Sequence, residues 1–261
     1  MCSGYLFEFP RIMILTVDIG NTNISLGYFQ GHNLVSHSSI NGKSLVQQSG
    51  SFLLDTGTVK DIRDIIIASV NPENEEAFCK YLEKQYTRKV LKIGREIQLK
   101  IPVLVEKPEK VGVDRLLNAL AAYHLTRAAA IVVDFGTALT VDIVSKGGEF
   151  LGGLILPGIE TSAYALKSQT AFLPKVEIRK PEKIIGKNTE SAISSGIYNG
   201  TVGAVSYILE ELLKEVCDVQ CIIATGGDAA TLIADLPQIN KLAPHLTLEG
   251  IKIAFDEACA G

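Results

Sequence analysis

The feature that most constrains how this chain can fold is a repeated opening. The apolar run Met13–Val17 meets Asp18 and then the turn-forming cluster Gly20-Asn21-Thr22-Asn23. The strand-like stretches Ile24–Phe29 and Leu34–Ser38 follow, joined by a turn over Gln30–Asn33. The same events return later. Ala130–Val133 meets Asp134, Gly136 and Thr137 follow, and Leu139–Val144 and Glu149–Leu156 flank the turn Ser145–Gly148. Both copies predict an antiparallel meander of three strands. The loops differ by one residue, Asp18-Ile19-Gly20-Asn21-Thr22 against Asp134-Phe135-Gly136-Thr137.

Each meander is followed by a second set of matching events. In the first half, a buried strand over Ile62–Ala68 runs into Ser69–Pro72 and an amphipathic helix over Glu73–Gln85. In the second half, a buried strand over Cys221–Ala224 runs into Thr225-Gly226-Gly227-Asp228 and a helix over Ala229–Leu236. Helical spacing of apolar residues predicts two more helices, Val113–Thr126 and Ser191–Val216. The fold class is therefore α/β, built as two duplicated lobes, each a mixed sheet with helices, with a cleft between them for a small molecule. The expected boundaries are an N-terminal extension over 1–12, a first lobe over 13–127 and a second over 128–261, with Met13 as the natural start.

Composition narrows the function. The 261 residues suffice for a sizeable core, and 47% hydrophobic against 21% charged marks a globular chain. A net charge of −4 speaks against a nucleic-acid partner. No stretch approaches the roughly 18 uninterrupted apolar residues of a membrane span, and the N-terminus has no signal-peptide pattern. Five scattered cysteines without a paired motif fit reduced thiols and a cytoplasmic location.

The loops carry the chemistry. A carboxylate at the end of a strand, as at Asp18, suits a hydrated Mg²⁺, and Gly20 lets backbone N–H groups approach phosphate oxygens. Asn21 and Thr22 add neutral donors. One such loop alone reads as an ordinary strand-end turn. Two, each opening a matching unit, read as a phosphate clamp. Gly226 and Gly227, between strand and helix, leave room for a flat nucleoside on the backbone. The Walker and dinucleotide glycine motifs are absent, as are the zinc-protease and hydrolase signatures. The histidines at 32, 37, 124 and 245 read as structural or surface residues.

Six segments in order resemble the type III pantothenate kinase family, a member of the actin/sugar-kinase superfamily with ribonuclease-H-like lobes of five mixed strands. They are Asp18-Ile19-Gly20-Asn21-Thr22, Gly112-Val113-Asp114-Arg115, Asp134-Phe135-Gly136-Thr137-Ala138, Gly152–Gly158, Gly186-Lys187-Asn188-Thr189 and Thr225-Gly226-Gly227-Asp228. The resemblance spans Met13 to about Phe255. It implies transfer of the ATP γ-phosphoryl group to the primary hydroxyl of pantothenate, opening coenzyme A synthesis. It also implies Mg²⁺, a monovalent cation (K⁺ or NH₄⁺) and a homodimer. Asp18, Ile19, Gly20, Asn21, Thr22, Asn23, Ile24 and Ser25 would then bind the ATP phosphates, with Asp18 placing Mg²⁺. Asp114 would accept the proton of the pantothenate hydroxyl, and Gly112, Val113, Asp114 and Arg115 would line the substrate pocket. Asp134 would hold the monovalent cation and Thr137 would touch ATP. Thr189 would reach pantothenate from the neighbouring subunit, and Gly226 and Gly227 would flank the nucleoside. Gly152–Gly158 is given no catalytic role.

Read without the family, Asp114 is a helix N-terminal cap, since aspartate is common there. Two positions depart from the family's usual residues: Val113 where alanine is common, and Val105 where tyrosine is frequent. They motivate the alternative of a catalytically weak member that binds nucleotide as an accessory or regulatory protein. Another superfamily enzyme, such as a sugar kinase or polyphosphate phosphatase, fits the short chain and the Gly112–Arg115 motif less well.

Overall fold

The computed structural model describes residues 12–42 and 62–260. The expected extension lies, apart from Ile12, outside the described residues. The chain divides into two compact units that are discontinuous in sequence. The first groups the stretch ending at Lys100 with Gly112–Leu117 and the stretch from Thr247 onward; the second comprises Ile101–Val111 and Asn118–Leu246.

The first unit holds a five-stranded sheet. Strands β1 (Met13–Ile19), β2 (Asn23–Gln30) and β3 (Asn33–Asn41) form the expected antiparallel meander. On the other side of β1, β4 (Ile62–Ser69) and β5 (Val90–Lys92) pair in parallel, giving the order β3-β2-β1-β4-β5. Helix α1 (Pro72–Tyr86) connects the last two strands. Asn71 caps it by accepting from the Asn74 backbone N–H, Pro72 opens it, and Thr87 closes it in a left-handed conformation. Leu15, Val17, Ile19, Leu26, Ile65, Ile67, Phe78 and Leu82 form its core. The central strand β1 is buried on both faces, which explains why it reads as a continuous apolar run.

Helix α2 (Val113–Thr126) precedes the second sheet. There β6 (Ala130–Phe135), β7 (Ala138–Val144) and β8 (Phe150–Pro157) form the second meander. Helices α3 (Ile159–Gln169) and α4 (Thr189–Glu215) follow, then β9 (Cys221–Thr225), the short α5 (Ala229–Leu232) and β10 (Lys241–Leu242). The order β10-β9-β6-β7-β8, with β9 parallel to both β6 and β10, is the first sheet repeated. One face of β6 and β7 presents Ile131, Val133, Phe135, Leu139 and Val141 to a core shared with Tyr198, Val205 and Leu209 of α4. The helix expected over 229–236 is α-helical only to Leu232 and then tightens into a 3₁₀ turn over Ile233–Asp235.

Helix α6 (Leu246–Cys259) falls with the first unit from Thr247 onward and buries Leu248, Ile251, Ala254 and Phe255 at helical spacing. Gly250 lies against the backbone of Leu117, where any larger residue would collide with the Leu117 carbonyl. Lys252, only 4% exposed, is neutralised by Asp256 one turn later at 2.5 Å. Among the described residues no helix is long and apolar enough to cross a membrane.

Candidate active site

In the first unit, Asp18 lies inside β1 rather than after it, paired with Ser25 of β2 and Ala68 of β4. Ile19 and Ile24 form the last rung, so Gly20, Asn21 and Thr22 make a tight hairpin closed by a 3.0 Å bond from the Gly20 N–H to the Asn23 carbonyl. Asn21, Thr22 and Asn23 are exposed at the tip, while Asp18 and Ser25 are half-buried below it and Ile24 anchors it in the core. The hairpin thus presents neutral donors above one half-buried carboxylate.

Gly112–Arg115 form the entry to α2. Asp114 stands in the first turn, and its Oδ1 accepts the Arg115 backbone N–H at 2.8 Å. That bond fixes the orientation of the carboxylate. Gly112 crowds the same oxygen: a Cβ there would stand 2.5 Å from Asp114 Oδ1. Val113 and Arg115 are half-buried.

The second unit brings the second and third loops together. Asp134 lies in β6, opposite Thr140 of β7 and Thr225 of β9. Gly136 and Thr137 form the shorter hairpin, confirming the one-residue difference between the loops. Gly226, at φ +90°, packs on the end of β6, and a Cβ there would overlap Asp134 Oδ1 and stand 2.6 Å from the Phe135 carbonyl. Only glycine suits both that conformation and that approach. The Asp228 N–H then bonds the Phe135 carbonyl at 3.1 Å, holding the third loop to the second. Burial, and then the charge of Glu160, pushes the Asp228 carboxyl up from its ordinary range. Gly227 is exposed.

Three further features support this region. Gly158 sits against the second hairpin, its N–H 3.1 Å from the Thr137 carbonyl, and any side chain there would strike the Gly136 carbonyl. Thr161, in the first turn of α3, donates to the same Thr137 carbonyl at 2.6 Å. The segment Gly152–Gly158 therefore supports the Thr137 loop. The third feature is Asn118 of α2, whose side-chain amide donates to Asp134 Oδ2 at 3.0 Å. A polar residue inside the apolar stripe of α2 was its only sequence signal.

Thr189 stands apart from this group, exposed as the first residue of α4. Asn188 and Ser191 close a reciprocal capping box beside it. Gly186 lies on the backbone of Ser191 and Ala192, so the Gly186-Lys187-Asn188-Thr189 segment is built first as a helix entry.

Among the described residues no group of three or more His, Cys, Asp or Glu side chains forms a metal-binding set. The donor chemistry still suits hard cations. Asp18 and Asp134 are carboxylate oxygen donors of the kind that hard cations take.

The doubled sheet finds its likeness in solved structures. A Baf-family protein from Campylobacter jejuni superposes with a TM-score of 0.56 at 20% identity, covering 94% of this chain and 98% of that one. A candidate N-acetylmannosamine kinase from Listeria monocytogenes superposes at 0.50 and 16% identity, covering 95% and 99%. These likenesses concern the fold alone, and with the two strand orders they define the class as α/β with two mixed five-stranded sheets. The sequence goes further. The family described as type III pantothenate kinase matches residues 14–211, and the type III pantothenate kinase of Moorella thermoacetica is 37% identical over 251 residues, covering 94% of this chain and 99% of that protein. The chain belongs to the type III pantothenate kinase family.

Proposed function

We propose that this chain transfers the γ-phosphoryl group of ATP to the primary hydroxyl of pantothenate, giving 4′-phosphopantothenate, the first step of coenzyme A synthesis. The observation that carries this reading is membership of the family across residues 14–211, with the acidic residue of each motif at a strand end or helix start. Phosphoryl transfer needs positioning and charge neutralisation more than covalent chemistry. Hairpins of neutral donors, each beside a carboxylate, are suited to that task.

In this reading the hairpin from Asp18 to Ser25 holds the ATP phosphates, and Asp18 orients the water shell of Mg²⁺. Its exposed tip, Asn21–Asn23, supports that role. Asp114 accepts the proton of the pantothenate hydroxyl, and the Arg115 N–H bond at 2.8 Å supports a fixed approach for it. Gly112, Val113 and Arg115 line the pantothenate pocket. Thr137 meets ATP, and Gly226 and Gly227 lie beside the nucleoside. Asp134 holds K⁺ or NH₄⁺, which when bound supplies positive charge near the phosphates.

We also read the protein as a cytoplasmic homodimer in which Thr189 serves the neighbouring subunit's pantothenate. Exposed apolar side chains of the second unit support the dimer: Ile155 of β8 is 64% exposed, and Tyr164 of α3 and Tyr207 of α4 are about equally so. A groove of about 930 Å³ between β8 and the end of α4 continues this surface past Leu151 and Tyr207.

The deciding experiment incubates the protein with ATP, Mg²⁺ and pantothenate, with and without K⁺. Formation of 4′-phosphopantothenate is expected. No product at any K⁺ or NH₄⁺ concentration refutes the proposal.

A further inference from the structure

We infer that Asn118 is a positioning residue: its buried carboxamide sets the orientation of the Asp134 carboxylate, and through it the affinity for the monovalent cation. The inference rests on the cation role proposed above for Asp134.

The sheet register makes Asn118 conspicuous. Alternation along β6 and β7 sends Ile131, Val133, Leu139 and Val141 to the apolar core. Val132, Asp134, Thr140 and Asp142 therefore share the opposite face, because Asp134 pairs with Thr140 and Val132 with Asp142. Asp142 and the neighbouring Thr225 are buried, and Thr140 donates to Asp142 at 3.1 Å. Asn118 brings its donor to this polar strip and meets Asp134 Oδ2.

Packing alone would not select asparagine there. Asn118 is 1% exposed, and Leu117, Ala119, Leu120, Ala121 and Ala122 around it on α2 are buried apolar residues. A carboxamide at such a position is costly unless bonded, whereas an apolar side chain would carry no such cost. The carboxylate explains the residue. The other oxygen of Asp134, Oδ1, faces Gly226, where a Cβ would overlap it. One oxygen is thus bonded and the other confined, which restricts rotation of the group. The donor is also neutral. A lysine or arginine at 118 would add a second charge beside the carboxylate, while asparagine orients it without one. Asp114 lies one helical turn before Asn118 on the same helix, so α2 carries both the proposed base and the residue that holds Asp134.

The test uses the full chain with Asn118→Leu, which keeps the branching but has no polar atoms, and Asn118→Ala, which removes the donor without adding bulk or charge. Two readouts are taken against KCl, with tetramethylammonium chloride holding ionic strength: the melting temperature and the steady-state rate. In both variants the K⁺ concentration at half-effect should rise by ~10-fold or more, the usual scale for removing a group that orients a metal ligand, with KM for pantothenate changed by less than about twofold. Half-effect concentrations equal to the wild type in a folded variant overturn the inference. So does failure of both variants to melt cooperatively, which marks Asn118 as structural only. If the wild type shows a K⁺-dependent melting shift but no pantothenate turnover, the proposed function fails while the melting shifts of the variants still decide the role of Asn118. A wild type without any K⁺ or NH₄⁺ response overturns the inference itself.

Discussion

The Thr161 hydroxyl donates a 2.6 Å hydrogen bond to the Thr137 carbonyl, tying the first turn of α3 to the hairpin that is proposed to meet ATP. Gly158 approaches the same carbonyl through its backbone N–H. The start of α3 therefore holds the hairpin through a backbone N–H and a hydroxyl on one carbonyl. Thr161→Val keeps the shape and removes the donor. It should lower stability by only about 1 kcal/mol, yet raise KM for ATP more than KM for pantothenate. Equal changes in the two KM values would show that the bond does not position the nucleotide loop.

Gly226→Ala should be far more damaging. Its φ of +90° disfavours any side chain, and the added Cβ would overlap Asp134 and crowd the Phe135 backbone at 2.6 Å. A loss of at least ~2 kcal/mol is expected from overpacking and backbone strain together. Denaturant titration measures it, and nucleotide binding to whatever remains folded should be weakened. Wild-type stability and affinity would contradict the observed contact.

Asp114→Asn separates the two readings of that residue. The amide preserves the oxygen that accepts the Arg115 N–H at 2.8 Å, so the helix start should survive and the melting temperature should hardly move. Turnover should fall by on the order of 10²- to 10⁴-fold, the range for loss of a general base. A stable variant with undiminished turnover would reduce Asp114 to a helix-terminal residue.

Tyr198 gives a prediction about alkaline stability. Its one hydroxyl proton is shared between Asp235 Oδ2 at 2.7 Å and the Thr231 carbonyl at 3.1 Å, anchoring α4 to α5 and the 3₁₀ turn after it. Burial, then the hydrogen bond and charge of Asp235, push the phenol up to about 12. The fold favours the neutral phenol, so its contribution is complete below the unfolded value of about 10. It is lost as pH rises from there through the folded value, because the unfolded chain releases the proton first. Tyr198→Phe should cost about 1–2 kcal/mol at neutral pH and remove this part of the alkaline decline. Parallel pH–stability curves for the two proteins above pH ~10 would refute the assignment.

Ile155, exposed on β8, tests the proposed dimer. Ile155→Lys places a charge in an apolar surface, and sedimentation should show a shift towards monomer with little change in monomer stability. An unchanged sedimentation coefficient would move the interface elsewhere.

Much of this architecture was legible in the residues. The duplicated openings forecast two sheets of the same strand order, and the one-residue difference between the loops survives in the hairpins at Gly20–Thr22 and Gly136–Thr137. Such features are local: an apolar run, a turn cluster and a helical period are properties of neighbours in sequence. Short edge strands carry too few residues for a pattern, so β5 and β10 escaped notice. Helix α3 follows a glycine-rich strand, and α6 has apolar residues at helical spacing that the paired-loop pattern does not include.

The carboxylates that opened the argument belong to both levels. Sequence by itself determined that Asp18 and Asp134 would stand at the ends of matching strands, and that Asp114 would begin a helix. It also determined family membership, because six motifs in order are independent of how the chain is folded. Tertiary structure decided what holds each carboxylate. Asn118 reaches Asp134 only because a helix packs on the polar face of β6, and Gly226 reaches it only because β9 runs parallel beside it. Those contacts depend on register and packing between segments far apart in the chain. No periodicity in either segment encodes them, since each partner alone looks like an ordinary helix polar residue or an ordinary turn glycine.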